Sequence, residues 1–152
     1  MKDNNLKFEI TGNLLEVADM TWHINTINHI YIGKSCMSQK GEYAIFIDGG
    51  FDVVELYYRT RSYDQINSEF LKLCKEINRV NINFNKIPGS LSCVDYGKVE
   101  NIKLSKPIKD KLIITLKNKE EAIVAPINYE CAKDRLKLAL NMLKEVRENS
   151  IR

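Results

Sequence analysis

The sequence predicts an α+β protein made of two consecutive units, each an antiparallel β-meander followed by a C-terminal helix. Two observations lead to this prediction. Short segments in which apolar and polar residues alternate, separated by turn residues, fill the chain before residue 61. Two segments with apolar residues at helical spacing, 61–77 and 127–143, follow such strand-like segments. We therefore expect a pseudo-duplicated fold in which two similar units pack together.

Six short strands are predicted before the first helix. The strand-like segments are "LKFEI", "NLLEVAD", "TWHIN", "INHIYIG", "EYAIFID" and "VVELYYRT". In the fifth of them, alternation places Tyr43, Ile45 and Ile47 on one side. The Asp48-Gly49-Gly50 sequence then marks a hairpin turn, because glycine adopts the left-handed backbone that such turns need. The same residues lack the further acidic positions of a calcium-binding loop.

The first helix has a clear start. Ser62 is a good N-cap, Gln65 completes a capping box, and Asp64 in the first turn favours the positive end of the helix dipole. Apolar residues then recur at helical spacing, at Ile66, Phe70, Leu73, Cys74 and Ile77. We expect this face to pack against a sheet.

The second half repeats the plan of the first. Its strand-like segments are "LSCVDYG", "KVENIKL", "DKLIITL" and "EEAIVAP". A long helix is expected over about 129–148. The Asn-rich segment 81–90, which contains Pro88-Gly89, looks like a connector, and a short strand at "VNINF" is the alternative for its first part. The predicted domains are therefore a β-meander plus helix at 1–80 and a second, shorter unit at 91–152.

Overlaying the halves gives residue-level correspondences, with two helix registers one residue apart: a shift of 66 gives those below, and a shift of 65 would instead align the two "LKL" triplets. Asn128 takes the place of the Ser62 cap. The apolar helix positions of the first half correspond to Ala132, Leu136, Ala139, Leu140 and Leu143, and Ile27, Ile30 and Ile32 correspond to Val99, Ile102 and Leu104. Phe70 and Leu136 are the expected central core residues of the two helices.

The composition is that of a globular protein, with 44% apolar residues and a net charge of +3. No apolar segment is long enough to cross a membrane and the N-terminus has no signal-peptide core, so a cytoplasmic location is expected. The abundance of Lys, Asn and Ile indicates an AT-rich coding genome, such as that of a low-GC bacterium or its phages. The cysteines have no zinc-binding spacing and are expected to be buried free thiols: Cys36, Cys74, Cys93 and Cys131.

No motif for catalysis, metal binding or cofactor binding is present, so no enzyme activity, metal or cofactor is predicted. The two histidines, His23 and His29, lie in adjacent strand-like segments. Alternation points His23 away from Trp22 and Ile24, toward solvent, so a surface histidine without a role is expected rather than a catalytic base.

The best candidate site is the basic and aromatic segment "ELYYRTRSY", residues 55–63. Alternation along the strand places Tyr57, Arg59 and Arg61 on the face opposite Leu56 and Tyr58. Aromatic and guanidinium groups together can anchor a protein partner or stack on nucleobases. An ordinary solvated strand face is the alternative interpretation, and it also applies to the lysine-rich stretch 98–119.

The first half resembles the small bacterial pleckstrin-homology-like domains. The phrase "INTINHIYI" with "EYAIFIDGG" carries the resemblance over residues 6–79, and "KVENIKL" with "DKLIITLKN" repeats it more loosely over 90–148. The resemblance implies a bent antiparallel sheet plugged by a C-terminal helix, and a non-catalytic fold that binds peptides, proteins or lipid headgroups.

Three functional hypotheses follow. The leading one is a non-catalytic protein-binding module, either accessory or regulatory, or a phage-borne inhibitor of a host defence system in a low-GC bacterium. The second is nucleic-acid binding through Tyr57, Arg59 and Arg61. The third is an enzyme or a protein that sequesters a small ligand such as a nucleotide in a cleft between the two units.

Overall fold

The computed structural model describes residues 7–36, 42–49, 52–56, 62–105, 111–117, 121–126 and 132–150. The chain divides into two compact units, unit 1 at 1–82 and unit 2 at 83–152. Within each unit every described strand pair is antiparallel, and the last described element is a long helix. The predicted α+β class is therefore confirmed.

The six strands predicted for the first half are all present among the described residues of unit 1. They are β1 (Phe8–Thr11), β2 (Leu14–Val17), β3 (Met20–His23), β4 (His29–Lys34), β5 (Tyr43–Asp48) and β6 (Val53–Leu56), with a 3-10 turn at Ile24–Thr26 between β3 and β4. Consecutive strands pair within β1–β2–β3 and within β4–β5–β6. This connectivity is the predicted meander, interrupted where the 3-10 turn separates the two sets of strands.

The two turns of the β1–β2–β3 meander both contain residues with positive φ, but only the first of them has glycine at such a position. Gly12, at φ 59°, begins the β1–β2 turn, where glycine carries no steric cost. Ala18 and Asp19, at φ 52° and 61°, form the two-residue β2–β3 turn. Both residues have the positive φ of a type I′ turn, a conformation that costs alanine about 1 kcal/mol or more.

Helix α1 (Tyr63–Val80) follows β6 and begins as predicted. Ser62 Oγ accepts the Gln65 backbone N–H at 3.2 Å, which confirms Ser62 as the N-cap. The helix contacts β1, β4 and β5. All five predicted apolar positions are buried, namely Ile66, Phe70, Leu73, Cys74 and Ile77. Burying each large side chain contributes about 1.5–3 kcal/mol.

The β4–β5 hairpin supplies a fully buried isoleucine layer in unit 1. Ile30 pairs with Ile47, and Ile32 pairs with Ile45. Ile45 and Ile47 are completely buried, whereas Tyr43, expected on the same side and the first residue of β5, is 37% exposed. Ala44 and Phe46 are buried as well, so β5 is covered on both of its faces.

Unit 2 contains the four predicted strands and one more. Its elements are β7 (Phe84–Lys86), β8 (Ser92–Asp95), a 3-10 turn (Tyr96–Lys98), β9 (Val99–Leu104), β10 (Lys111–Leu116), β11 (Glu121–Pro126) and helix α2 (Ala132–Ser150). Strand β7 lies in the segment expected to be a connector, pairs with β8 and belongs to unit 2. The expected first turn of the second helix, together with Asn128, falls on 127–131, outside the described residues.

The internal repeat extends to strand register. In each unit a strand, a 3-10 turn, three antiparallel strands and a helix follow one another. The Ile32–Ile45 and Ile30–Ile47 pairs of unit 1 have their counterparts in the Leu104–Leu112 and Ile102–Ile114 pairs of unit 2. The residues that start and close the 3-10 turns also correspond, and all four are buried: Ile24 and Ile27, Tyr96 and Val99.

The buried face of α2 differs from the predicted one. Ala139, Leu143 and Val146 are buried, but Leu140 is 40% exposed and Leu136 is only partly buried, so Leu136 is not the central core residue. Apolar residues occupy more than half of the circumference of α2, and their spacing alone could not select the buried arc. The arc of α2 that contacts β9 and the 3-10 turn is the buried one. Arg147 Nη2 also donates to the Glu100 carbonyl oxygen at 2.7 Å, which links the helix to β9.

The cysteine expectation holds only in part. Cys74 and Cys93 are buried free thiols, as predicted, and Cys131 lies outside the described residues. Cys36 is exposed, which corrects the expectation of burial for this residue. The exposure follows from its position, since Cys36 comes after the last residue of β4 and belongs to no strand.

Two leucines of α2 provide a matched test of its buried face. Leu143→Ala should lower the free energy of unfolding by about 2–5 kcal/mol, because it removes buried methyl groups and leaves a cavity. Leu140→Ala should change it by no more than about 1 kcal/mol, since that side chain is half in solvent. Urea unfolding monitored by circular dichroism measures both. Equal costs for the two variants would contradict the helix orientation described here.

A second test concerns the turn between β7 and β8. The Ser90 N–H donates to the Ile87 carbonyl oxygen at 3.1 Å, Pro88 occupies the second turn position and Gly89 has φ 75°, as a type II turn requires. A Cβ at Gly89 would lie 2.7 Å from Arg135 Nε, whereas a Cβ at Gly12 would meet nothing within 4 Å. Gly12→Ala should therefore cost only backbone strain, about 1–2 kcal/mol, and Gly89→Ala should cost slightly more, because it must also displace the flexible Arg135 side chain.

Thermal or urea unfolding of the two glycine variants measures the difference. Adding Arg135→Ala should reduce the cost of Gly89→Ala to about that of Gly12→Ala, because it removes the crowding atoms. If Arg135→Ala leaves the cost of Gly89→Ala unchanged, the Arg135 side chain does not pack over this turn.

Candidate partner-binding site

The predicted site residues Tyr57, Arg59 and Arg61 lie outside the described residues. The structure does describe both ends of the 55–63 segment. Leu56 is buried and pairs with Ile45, so its predicted inward orientation is confirmed. Glu55 pairs with Phe46, on the face opposite Leu56.

At the other end of this segment, Tyr63 contacts Tyr43. The two rings meet edge to face, with centroids 5.3 Å apart and an interplanar angle of 74°. Tyr63 is 40% exposed and Tyr43 is 37% exposed, so the pair presents its surface to solvent. We call these two residues the tyrosine pair.

Neighbouring backbone structure fixes both members of the tyrosine pair. Tyr43 is the first residue of β5 and pairs across the strands with Lys34, which is exposed. Tyr63 is the first residue of α1, immediately after the Ser62 cap. An ordered strand and an ordered helix start therefore hold two aromatic rings at one corner of unit 1. Rigid, exposed tyrosines lose little conformational entropy on binding, which is why tyrosine is common in protein recognition surfaces.

Sequence reasoning missed the tyrosine pair. It placed Tyr43 on the same side of β5 as Ile45 and Ile47 from alternation, and it used Tyr63 only as the end of a basic and aromatic segment. One signal in the sequence could have indicated the exposure of Tyr43. Tyr43 is the first residue of its strand, and residues at strand ends are covered less completely than those in the middle. The contact between residues 20 positions apart depends on the fold and has no local signal.

The second feature of unit 1 is a row of stacked rings on the face of β4 and β5 opposite the isoleucine layer. His29 stacks on Tyr31 with centroids 4.5 Å apart, and Tyr31 stacks on Phe46 with centroids 5.0 Å apart and planes 6° from parallel. Gly33 continues this face of β4, and a Cβ there would lie 3.2 Å from the Phe46 ring. Because glycine has no Cβ, the Phe46 ring can pack directly against the backbone at Gly33. We call His29, Tyr31 and Phe46 the aromatic row.

Ionisable groups surround the aromatic row. Burial raises the pKa of the Tyr31 hydroxyl, and the charges of Asp48 and Cys36 raise it further. Glu55 Oε1 accepts the Cys36 backbone N–H at 2.7 Å, which ties the residues after β4 to strand β6. Within the aromatic row, His29 and Phe46 are buried and Tyr31 is half-buried.

The two histidines have different environments. His23 is exposed, as predicted. His29 is 5% exposed, and burial lowers the pKa of its imidazole to about 3. The physical reason is that both faces of β4 are covered, so the strand alternation that directs His23 to solvent does not do so for His29.

The described residues show no other arrangement that indicates chemistry. They contain no group of three or more His, Cys, Asp or Glu side chains placed to hold a metal ion. Neither helix, over the part of the chain that is described, is long and apolar enough to cross a membrane. An open groove of about 540 Å³ lies beside β1 and the β2–β3 turn and is bordered by charged Lys7, Glu9, Glu16 and Asp19.

Comparison with known proteins gives no relative: no protein-family model, curated protein or solved structure matches this chain. The resemblance to pleckstrin-homology-like domains therefore stays a prediction.

The tyrosine pair makes a prediction that is independent of any partner. A double-mutant cycle with Tyr43→Ala and Tyr63→Ala should give a coupling of about 0.5–1.5 kcal/mol in the free energy of unfolding, the usual value for an edge-to-face pair. Tyr63→Phe, which keeps the ring, should preserve the coupling. Strictly additive effects of the two alanine substitutions would show that the rings do not interact in solution.

Proposed function

We propose that this chain is a non-catalytic protein-binding module and that the tyrosine pair is part of the surface that binds the partner. The observation that carries the proposal is the exposure, 37% and 40%, of two tyrosines whose rings contact each other edge to face in unit 1. Tyrosines held in this way are among the residues that contribute most to protein–protein affinity.

The tyrosine pair also extends the surface predicted from the sequence. Tyr63 closes the 55–63 segment, and Tyr57, Arg59 and Arg61 precede it in the chain. Tyrosine and arginine are both enriched at the energetic centres of interfaces. We therefore include these three residues in the proposed partner-binding surface, together with Tyr43 and Tyr63.

The biological setting in the proposal comes from composition. The AT-rich coding bias fits a low-GC bacterium or its phage, and a small module without a catalytic motif suits an accessory or regulatory protein, or an inhibitor of a host defence system. The tyrosine pair fits a protein partner in any of these roles, so affinity capture is the experiment that identifies the partner.

The direct test is affinity capture with a matched variant. The full chain and its Tyr43→Ala/Tyr63→Ala variant are immobilised side by side and exposed to bacterial lysate, and proteins retained by the parent alone are identified by mass spectrometry. With the purified partner, the double variant should weaken binding by about 2 kcal/mol or more, roughly thirtyfold in Kd. Leu140→Ala, an exposed apolar change on α2, should leave Kd unchanged.

Further variants separate the proposed surface from its alternatives. Tyr57→Ala/Arg59→Ala should weaken binding similarly while leaving the melting temperature nearly unchanged. A partner bound equally by all variants would contradict the proposed surface. Retention of nucleic acid in place of protein, with affinity that falls steeply between about 50 and 200 mM salt, would support the nucleic-acid hypothesis.

A further inference from the structure

The His29 side chain is a buried ionisable group of unit 1 that the proposed function does not use. It is 5% exposed, its ring stacks on Tyr31, and its Nε2 atom is buried without a hydrogen-bond partner. A neutral imidazole can leave one ring nitrogen unpaired at moderate cost. A protonated imidazole has a donor on each nitrogen and carries a charge, so protonation in this place would bury an unpaired N–H and a charge together.

Burial outweighs the carboxylates on the elements that contact β4 within unit 1, including the buried Glu69 on α1. Asp48 pairs with His29 across the strands, and Tyr31 is the neighbouring ring. Asp48 is half-buried and already has its own interactions, and its charge acts on the Tyr31 hydroxyl. Glu55 lies at the far end of the aromatic row and bonds to the Cys36 N–H. Burial is the dominant influence on His29 and favours the neutral ring.

From this geometry we infer that His29 makes unit 1 acid-sensitive: protons bind this imidazole only when the aromatic row opens, so that mild acid favours the open state. Above the ordinary histidine pKa of about 6.5 both states hold a neutral ring, and the closed state keeps its full stability. As the pH falls from about 6.5 toward 3, only the open state takes up the proton, and the closed state loses stability. Between pH 7 and pH 5 the opening equilibrium constant should rise about 25-fold.

Trp22 provides the readout. It is the one tryptophan of the sequence, lies in unit 1 on β3, and packs near Gly49, the residue after β5. Urea unfolding of the full chain, followed by Trp22 fluorescence at pH 7 and pH 5, gives the equilibrium constant for unit 1 at each pH. Most carboxylates remain ionised in this pH window, so the histidines dominate the change.

Two phenylalanine variants form a matched pair. His29→Phe keeps a ring to stack on Tyr31 but cannot bind a proton, and it should remove most of the 25-fold change. His23→Phe replaces the exposed histidine and should leave the change as it is in the parent. Equal pH dependence of the parent and the His29→Phe variant would overturn the inference.

A measurement on the parent chain covers the case in which His29→Phe fails to fold. In NMR spectra of the native protein, the His29 ring Cε1–H resonance should stay constant from pH 7 to pH 5. Titration of His29 near pH 6.5 in the folded chain would equally overturn the inference.

Discussion

The pairing of Ile32 with Ile45 in unit 1 sets the positions of most features described above. This register places isoleucines on one face of β4 and β5, where α1 covers them, and it places Tyr31 and Phe46 opposite each other on the second face. A slip of one residue would exchange the two faces and bury the wrong side chains. The same register begins β5 at Tyr43, within reach of Tyr63.

Strands β9 and β10 of unit 2 pair in the same register as β4 and β5, but the residues on the face opposite the core differ between the units. Leu104 pairs with Leu112 and Ile102 with Ile114, and these core positions remain aliphatic. The positions that correspond to Tyr31 and Phe46 hold Lys103 and Ile113, which pair with each other. The repeat therefore preserves the packing that stabilises a unit, while the aromatic and ionisable face is specific to unit 1.

Local patterns were sufficient for the elements and insufficient for the site. Alternation, turn residues and the Ser62 cap predicted the six strands of unit 1 and the start of α1, because these depend on neighbours in sequence. The burial of His29 and the exposure of Leu140 depend on which faces of β4 and α2 are covered by other elements. The sequence of a single strand or helix does not contain this information. The tyrosine pair escaped prediction for the same reason, since its two rings come from a strand and a helix.

Residue-resolved amide hydrogen exchange of the full chain tests most directly the claim that the paired central strands organise each unit. The account predicts that amides of β4 and β5 exchange only through the largest openings of unit 1, and those of β9 and β10 only through the largest openings of unit 2, while the ends of both helices exchange faster. Faster exchange in β4–β5 than in β1–β2–β3, or in β9–β10 than in β7–β8, would contradict it.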